Sequence, residues 1–223
     1  MTERRAITEC HLYLCTPDRP DLEDFVGACI AGGVDIVQLR EKHLEAKHLI
    51  ARGRLVRDVC RSHGVPFIIN DRPDVALEVG ADGVHVGQDD APVALARRIL
   101  GPDAIIGLST HGLSDLAEVI DPSGPDVSYI SAGPVEATPT KPGRPGTGHG
   151  YLQSATEQMA TAKSSVPVFV TGGVTPERIP ALARSGARHY VVVRYLTDAP
   201  HPQQAARSLR DAIDEALATR PRP

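Results

Sequence analysis

The sequence predicts an α/β fold in which a single domain of eight parallel strands closes into a (β/α)8 TIM barrel. Eight short apolar runs of strand length recur along the 223 residues, and amphipathic stretches of helix length follow most of them. The turn after the first run, Thr16-Pro17-Asp18-Arg19, has no GxGxxG, and nothing divides the units into two nucleotide-binding halves. A closed barrel is therefore favoured over an open doubly wound sheet. No linker divides the chain, and residues 1–10 and 220–223 are predicted to be loose tails.

The first four units are bounded by turn and helix-terminus signals. Pro17 closes the first strand, an acidic first turn begins the first helix, and Gly32 follows its end. Pro73 and Gly80 bound the third helix in the same way. The predicted strands and helices cover 12–15 and 21–31, 36–42 and 44–63, 66–70 and 73–79, and 83–86 and 91–100.

The last four units contain the one irregular stretch of the chain. Residues 133–150 are rich in Gly, Pro and Thr and are predicted to be a long loop, so no helix is assigned between the sixth and seventh strands. The other predicted strands and helices cover 104–108 and 113–120, 127–131, 166–170 and 175–185, and 189–193 and 203–218.

Composition excludes several classes of function. A formal charge of -4, three Phe, five Tyr and no Trp leave neither the basic surface nor the stacking platforms of a nucleic-acid-binding protein. Four cysteines without a CxxC pair are expected to be reduced and mostly buried thiols. The N-terminus leads into no signal-type apolar run, and no run approaches membrane-spanning length. We therefore expect a cytoplasmic protein with no membrane partner; the sequence leaves homo-oligomer formation open.

The second strand begins as a buried strand and ends in charge. Side chains alternate faces along a strand, so Gln38, Arg40 and Lys42 point one way, and Val37 and Leu39 point toward the covering helices. One amide and two cations thus converge at the carboxyl end of the strand, which suits an anion. The alternative is a solvated strand end whose cations pair with nearby glutamates.

The catalytic and binding residues of a (β/α)8 barrel lie at the carboxyl ends of its strands, and polar residues occur at these ends in this sequence. They are Arg40 and Lys42 after strand two, Asn70 and Asp71 after three, Asp89 and Asp90 after four, Ser109 after five, Gly172 and Gly173 after seven, and Arg194 after eight. The closed barrel would bring these scattered residues together on one face.

Asp71 and Asp90 are candidate ligands of Mg²⁺. Neighbouring strands lie roughly 4.8 Å apart, so both carboxylates could reach one cation, with waters and phosphate oxygens completing an octahedron. No histidine cluster competes for zinc. The alternative is that each aspartate caps the helix that follows it, which is at least as common for a single residue.

Two further segments are candidate phosphate contacts. In the long loop, Thr138, Thr140 and Lys141 offer hydroxyls and a charge, which favours a lid over the anion rather than a mobile surface loop. Gly173 lets backbone N–H groups approach a second anion between strands seven and eight, where Arg194 would also lie. The alternative for the glycines is a tight turn alone.

Six segments together resemble the motif set of the thiamine-phosphate synthase family, in the family's order and over nearly the whole chain. They are Gln38-Leu39-Arg40-Glu41-Lys42, Asn70-Asp71-Arg72, His85-Val86-Gly87-Gln88-Asp89-Asp90, Gly107-Leu108-Ser109-Thr110-His111, Thr138-Pro139-Thr140-Lys141 and Gly172-Gly173-Val174. The resemblance implies a Mg²⁺-dependent transferase that joins hydroxymethylpyrimidine diphosphate to a thiazole phosphate, or to its carboxylate form. The products would be thiamine phosphate and diphosphate, formed through a pyrimidine carbocation.

The resemblance also implies a role for each matching residue. Residues implied to hold the pyrimidine substrate and its diphosphate are Gln38, Arg40, Lys42, Asn70, Ser109 and Lys141, of which Arg40, Lys42, Ser109 and Lys141 would act in catalysis. Asp71 and Asp90 would bind the metal, and Thr138, Thr140, Gly173, Val193 and Arg194 would hold the thiazole phosphate. Two residues depart from the family pattern: Arg194 replaces the usual serine, and Thr171 replaces a small apolar residue.

Two other functions remain open at this point. A thiazole tautomerase relative would share the barrel and one phosphate site, and His111 near the mouth would be the residue able to move protons. A loop histidine of no catalytic role is the commoner interpretation of that residue. A non-catalytic barrel that binds thiamine phosphate is the other alternative, but it would need neither a metal nor a diphosphate site.

Overall fold

The computed structural model describes residues 5–138 and 145–219, which form a closed barrel of eight parallel strands. Each strand pairs with the next in the chain, and β8 pairs with β1 through Tyr13 and Val191. The predicted (β/α)8 barrel is thereby confirmed. The strands are β1 (Leu12–Thr16), β2 (Ile36–Leu39), β3 (Phe67–Asn70), β4 (Gly83–Val86), β5 (Ile105–Thr110), β6 (Tyr129–Ala132), β7 (Val168–Val170) and β8 (His189–Val192).

Helices surround the barrel, and most begin and end within a few residues of their predicted bounds. They are α1 (Leu22–Ala31), α2 (Ala46–Ser62), α3 (Pro73–Val79), α4 (Val93–Leu100), α5 (Leu113–Ile120), α6 (Gly148–Thr161), α7 (Ile179–Arg184), α8 (Arg194–Thr197) and α9 (Pro202–Ala218). Among the described residues, no helix is long and apolar enough to cross a membrane.

The strands separate two cores. Tyr13, Ile36 and Phe169 belong to the cluster inside the barrel, whereas Val37 and Leu39 pack in the larger cluster between strands and helices. This confirms the alternation predicted for β2, and it follows from the period of two along every strand. Because the outward positions of β2 are apolar, its polar residue Gln38 is left to the barrel interior.

Two helices were not predicted. In α6, Leu152, Ala155 and Met159 form a buried stripe at helical spacing. The helix nevertheless begins within a glycine-rich segment, whose composition is typical of a loop. The single turn α8 is too short to produce a periodic pattern, and it places Arg194 at the first position of a helix rather than at the end of a strand.

Residues 5–10 pack against the barrel instead of forming the loose tail that the sequence predicts. Ile7–Glu9 is a turn of 3-10 helix, Cys10 is fully buried, and the Arg5 guanidinium lies 3.5 Å from the Asp35 carboxylate. Asp35 also accepts hydrogen bonds from the backbone N–H groups of His11 and Leu12. These buried polar contacts order the segment, and residues 220–223 lie outside the described part of the chain.

Candidate functional site

A cavity of about 680 Å³ opens at the carboxyl ends of the strands, and it collects most of the candidate site residues. Those that line it are Gln38, Arg40, Lys42, Asn70, Asp71, Asp90, Ser109, His111, Thr138, Gly173, Val193 and Arg194. Thr140 and Lys141 lie outside the described residues. Side chains separated by more than 150 positions in the chain therefore face one space, as a parallel barrel requires.

The end of β2 supplies the amide and the two cations. Gln38 is buried, and its Nε2 donates to the Tyr13 hydroxyl at 2.8 Å while its Oε1 accepts from Cys15 Sγ at 3.2 Å. Lys42 is half exposed, and its Nζ lies 2.8 Å from Asp71 Oδ2. The amide is fixed by two neighbours, whereas Lys42 can reach an anion in the cavity mouth.

Asp71 and Asp90 form a pair of carboxylates beside Lys42. Burial raises the pKa of Asp71, the nearby Asp90 raises it further, and Lys42 opposes the increase. Asp90 Oδ2 accepts a hydrogen bond of 2.8 Å from the backbone N–H of Gly87, which holds this carboxylate toward the cavity. Two adjacent carboxylates at the mouth of a cavity suit a divalent cation, because oxygen ligands are the ones that Mg²⁺ prefers.

The capping alternative is not what these aspartates do. The helices α3 and α4 have Arg72 and Pro92 at their N-cap positions, and neither cap makes a side-chain hydrogen bond. Across residues 5–138 and 145–219, no group of three or more His, Cys, Asp or Glu side chains could hold a metal. Any ion bound by Asp71 and Asp90 would thus need further ligands from water or substrate.

The interior below the cavity carries polar residues that were not singled out from the sequence. Tyr13, His85 and Tyr129 line its floor with Ser109, and a chain of hydrogen bonds joins them. Strand alternation places Tyr13 on the same face as Cys15, so periodicity could have indicated it. Which inward residues contact each other depends on pairing across the barrel, for which a single sequence holds no signal.

The loop after β6 is tied to the end of β7, and its two ends are tied to each other. The N–H of Val135 donates to the Thr171 carbonyl at 2.8 Å, and the N–H of Thr147 donates to the Pro134 carbonyl at 2.7 Å. Between these points Glu136 forms an ion pair with Arg178, which precedes α7. The sequence did not indicate this pair, because its members lie in irregular segments 42 positions apart.

Gly173 sits directly against that ion pair. Its φ is +76°, and a Cβ built there would lie 2.6 Å from Arg178 Nη1 and 2.9 Å from Glu136 Oε2. A side chain is therefore excluded by both backbone conformation and space. Val193 and Arg194 face the same part of the cavity, where α8 begins.

His111 lines the cavity, but it contacts Asp115 in the first turn of α5. Its backbone N–H donates to Asp115 Oδ2 at 2.8 Å, and its Nδ1 lies 3.7 Å from the same oxygen. The carboxylate thus joins the end of β5 to the first turn of α5, which favours the interpretation of His111 as a loop histidine.

Comparison with known proteins gives consistent matches over the length of the chain. A family model described as thiamine monophosphate synthase matches residues 12–196. Thiamine-phosphate synthases of Mycolicibacterium vanbaalenii and of Mycobacterium sp. strain KMS are 44% and 42% identical to this chain. These alignments cover 97% and 93% of this chain and 100% and 94% of the relatives. The structure of a thiamine phosphate pyrophosphorylase from Pyrococcus furiosus has a TM-score of 0.81 and 27% identity, and covers 94% of this chain and 98% of its own.

Proposed function

Because this chain belongs to the thiamine monophosphate synthase family, we propose that it joins hydroxymethylpyrimidine diphosphate to a thiazole phosphate. The C–O bond to diphosphate breaks first, and the diphosphate leaves with the bonding electrons. The thiazole nitrogen then captures the pyrimidine carbocation with its lone pair and forms the new C–N bond. The products are thiamine phosphate and diphosphate, so the protein is a transferase.

The observation that carries this proposal is the meeting of Arg40, Lys42, Asp71 and Asp90 in one cavity. Breaking the C–O bond places charge on the departing diphosphate, and fixed cations stabilise that charge as it develops. A unit charge pair at about 4 Å near a protein surface is worth roughly 4 kcal/mol, and 1.36 kcal/mol is tenfold in rate. Arg40 and Lys42, joined by Lys141 from the loop, are assigned to this task.

We assign a Mg²⁺ site to Asp71 and Asp90. Their mutual repulsion and the raised pKa of Asp71 fit a site that is completed by a cation. When bound, Mg²⁺ would supply additional positive charge to the diphosphate. Lys42 holds Asp71 from the neighbouring strand end, and the backbone N–H of Gly87 holds Asp90.

The remaining residues are assigned to the two organic substrates. In the described part of the chain, the Asn70 side chain makes no hydrogen bond to protein, and with Gln38 and Ser109 it lines the wall below the cations. Gly173, Val193 and Arg194 line the cavity near the ends of β7 and β8, which suits the thiazole phosphate. Thr138 and, from outside the described residues, Thr140 are assigned to the same phosphate. The guanidinium of Arg194 would there take the place of a hydroxyl.

The reaction needs charge and position rather than a nucleophile from the protein, and the site fits that demand. The thiol of Cys15 lies in the cavity but donates its hydrogen to Gln38, which keeps it a buried donor. A thiazole tautomerase would have no use for Lys42, Asp71 and Asp90, so their presence favours the synthase. The free, buried state of all four cysteines supports a cytoplasmic location.

The test is to incubate the purified protein with both substrates and Mg²⁺ and to measure thiamine phosphate and free diphosphate. We expect equal amounts of the two products and no turnover after chelation of the metal. Lys141→Ala should reduce turnover by orders of magnitude, whereas Lys47→Ala, on the exposed face of α2, should not. Absence of thiamine phosphate in the presence of both substrates and metal would overturn the proposal.

A further inference from the structure

Five side chains inside the barrel form one continuous chain of hydrogen bonds beneath the cavity. Gln38 Nε2 lies 2.8 Å from the Tyr13 hydroxyl, and the hydroxyls of Tyr13 and Tyr129 are 2.8 Å apart. The Tyr129 hydroxyl is 2.9 Å from His85 Nδ1, and His85 Nε2 is 2.9 Å from Ser109 Oγ. All five side chains are buried, yet all line the cavity, so the chain connects β2 to β5 across the barrel.

The direction of donation in this chain is fixed at the Gln38 end. Cys15 Sγ donates to Gln38 Oε1 at 3.2 Å, and Gln38 Nε2 faces the Tyr13 hydroxyl at 2.8 Å. The Tyr13 oxygen accepts that N–H and must give its own hydrogen to Tyr129, since a phenol has one hydrogen. Burial raises the pKa of both phenols far above neutrality, so both keep that hydrogen.

The same logic continues to the other end. Tyr129 accepts from Tyr13 and donates to His85 Nδ1, so this nitrogen must be unprotonated and the hydrogen of the neutral ring lies on Nε2. Nε2–H then donates to Ser109 Oγ. Ser109 Oγ also accepts a hydrogen bond from the Ser131 hydroxyl at 3.4 Å. The hydrogen of Ser109 is left to point into the cavity.

The barrel wall is shaped to accommodate this chain. Gly107 lies beside the contact between Tyr129 and His85, and a Cβ built at this position would overlap both side chains. The rings of Tyr129 and His85 stack at 5.4 Å between centroids, and Tyr129 also packs edge-on against Phe169 at 5.1 Å. The polar chain is thus held by ring packing as well as by its own hydrogen bonds.

We propose that Tyr13, Tyr129 and His85 are positioning residues that orient Gln38 and Ser109 as hydrogen-bond donors for the ring nitrogens of the pyrimidine substrate. None of the three needs to touch the reacting atoms. Their role is to fix the Gln38 amide and the Ser109 hydroxyl so that the floor of the cavity presents donors to a ring bearing acceptor nitrogens. The assignment to a pyrimidine rests on the proposed function, whereas the direction of the chain does not.

The first test is Tyr129→Phe, which deletes the central hydroxyl with little change of volume. We expect the KM for the pyrimidine diphosphate to rise roughly tenfold and the KM for the thiazole phosphate to stay within about twofold. Tyr13→Phe should act in the same way. Tyr190→Phe is the matched control, because Tyr190 is equally buried but donates to the Ala187 carbonyl in the outer core.

The second test needs no substrate. ¹⁵N NMR of the ligand-free protein should show His85 as the neutral Nε2–H tautomer, and Tyr129→Phe should shift the Nδ1 signal while Tyr190→Phe should not. An Nδ1–H tautomer in the wild-type protein would overturn the direction of the chain. The positioning role would be overturned if Tyr129→Phe changed the KM for the pyrimidine diphosphate and the KM for the thiazole phosphate no more than the control Tyr190→Phe does.

These outcomes also separate this inference from the proposed function. If the wild-type protein forms no thiamine phosphate but His85 has the expected tautomer, the proposed function fails and the directed chain stands. Thermal unfolding would first show that Tyr129→Phe and Tyr13→Phe are folded. If thiamine phosphate forms and neither variant changes the KM for the pyrimidine diphosphate, the positioning role fails and the function stands.

Discussion

The Lys42 ammonium lies 2.8 Å from the Asp71 carboxylate, so the ends of β2 and β3 are joined by an ion pair at the mouth of the barrel. Asp71 adopts a left-handed backbone with φ of +61°, which turns its side chain back toward β2 and Asp90. Burial and the second carboxylate oppose its ionisation, and Lys42 compensates only in part. The charged form of Asp71 is therefore maintained at a cost to stability, a property typical of functional sites.

Asp71→Asn should reduce turnover by about 100-fold or more while raising the melting temperature in metal-free buffer at neutral pH. The amide removes a charge that its surroundings disfavour, and asparagine tolerates the left-handed backbone. Steady-state kinetics and thermal unfolding measure the two effects. Asp89→Asn is the control, because Asp89 is exposed in the same turn as Asp90 and does not line the cavity. Turnover close to wild type in Asp71→Asn would contradict the metal site.

Gly173→Ala should raise the KM for the thiazole phosphate about tenfold, because the new methyl group would displace Arg178 and Glu136. Gly80→Ala is a matched control: Gly80 has φ of +70°, yet nothing lies within 4 Å of its Cβ position. Both variants should lose about 1 kcal/mol of stability from the left-handed backbone. If both also change KM equally, the space around Gly173 has no role in binding.

Arg194→Ala should raise the KM for the thiazole phosphate more than the KM for the pyrimidine diphosphate. Arg194 lines the cavity at the start of α8, directly after β8, which pairs with β7 and is not a neighbour of β3, the strand that Asp71 follows. Initial-rate measurements with each substrate varied in turn provide the comparison, with Arg98→Ala on the exposed face of α4 as control. The reverse order of effects would assign Arg194 to the diphosphate.

His189 should make stability depend on pH between about 6.5 and about 4. Burial lowers its pKa from 6.5 to about 4, so the unfolded chain binds more protons than the folded one in this range. The free energy of unfolding therefore has its full value above pH 6.5, and it decreases by roughly 3 kcal/mol in total as the pH falls to about 4.

Urea unfolding of the wild-type protein and His189→Asn across this range measures the contribution. In His189→Asn the free energy of unfolding should lack this dependence on pH. In His63→Asn, which alters an exposed histidine, the dependence should remain. Parallel slopes for wild type and His189→Asn would show that another group titrates on unfolding.

Particular residues show how far the sequence could predict the site. The alternation of Val37 and Leu39 with Gln38, Arg40 and Lys42 correctly predicted which side chains face the barrel interior. The helix α6 was missed because its glycine-rich start hides the buried stripe. Arg194 was placed at a strand end rather than in α8, because one helical turn leaves no periodic pattern.

The sequence by itself determined the barrel and the strand ends from which its polar residues project, since hydrophobic periodicity and turn residues are local properties. Only the tertiary structure decided which of those residues touch: Lys42 with Asp71, Glu136 with Arg178, and Tyr13 with Tyr129 across the barrel. Such pairs depend on strand register and loop path. Both are set by the packing of the whole chain, and a single sequence does not display them.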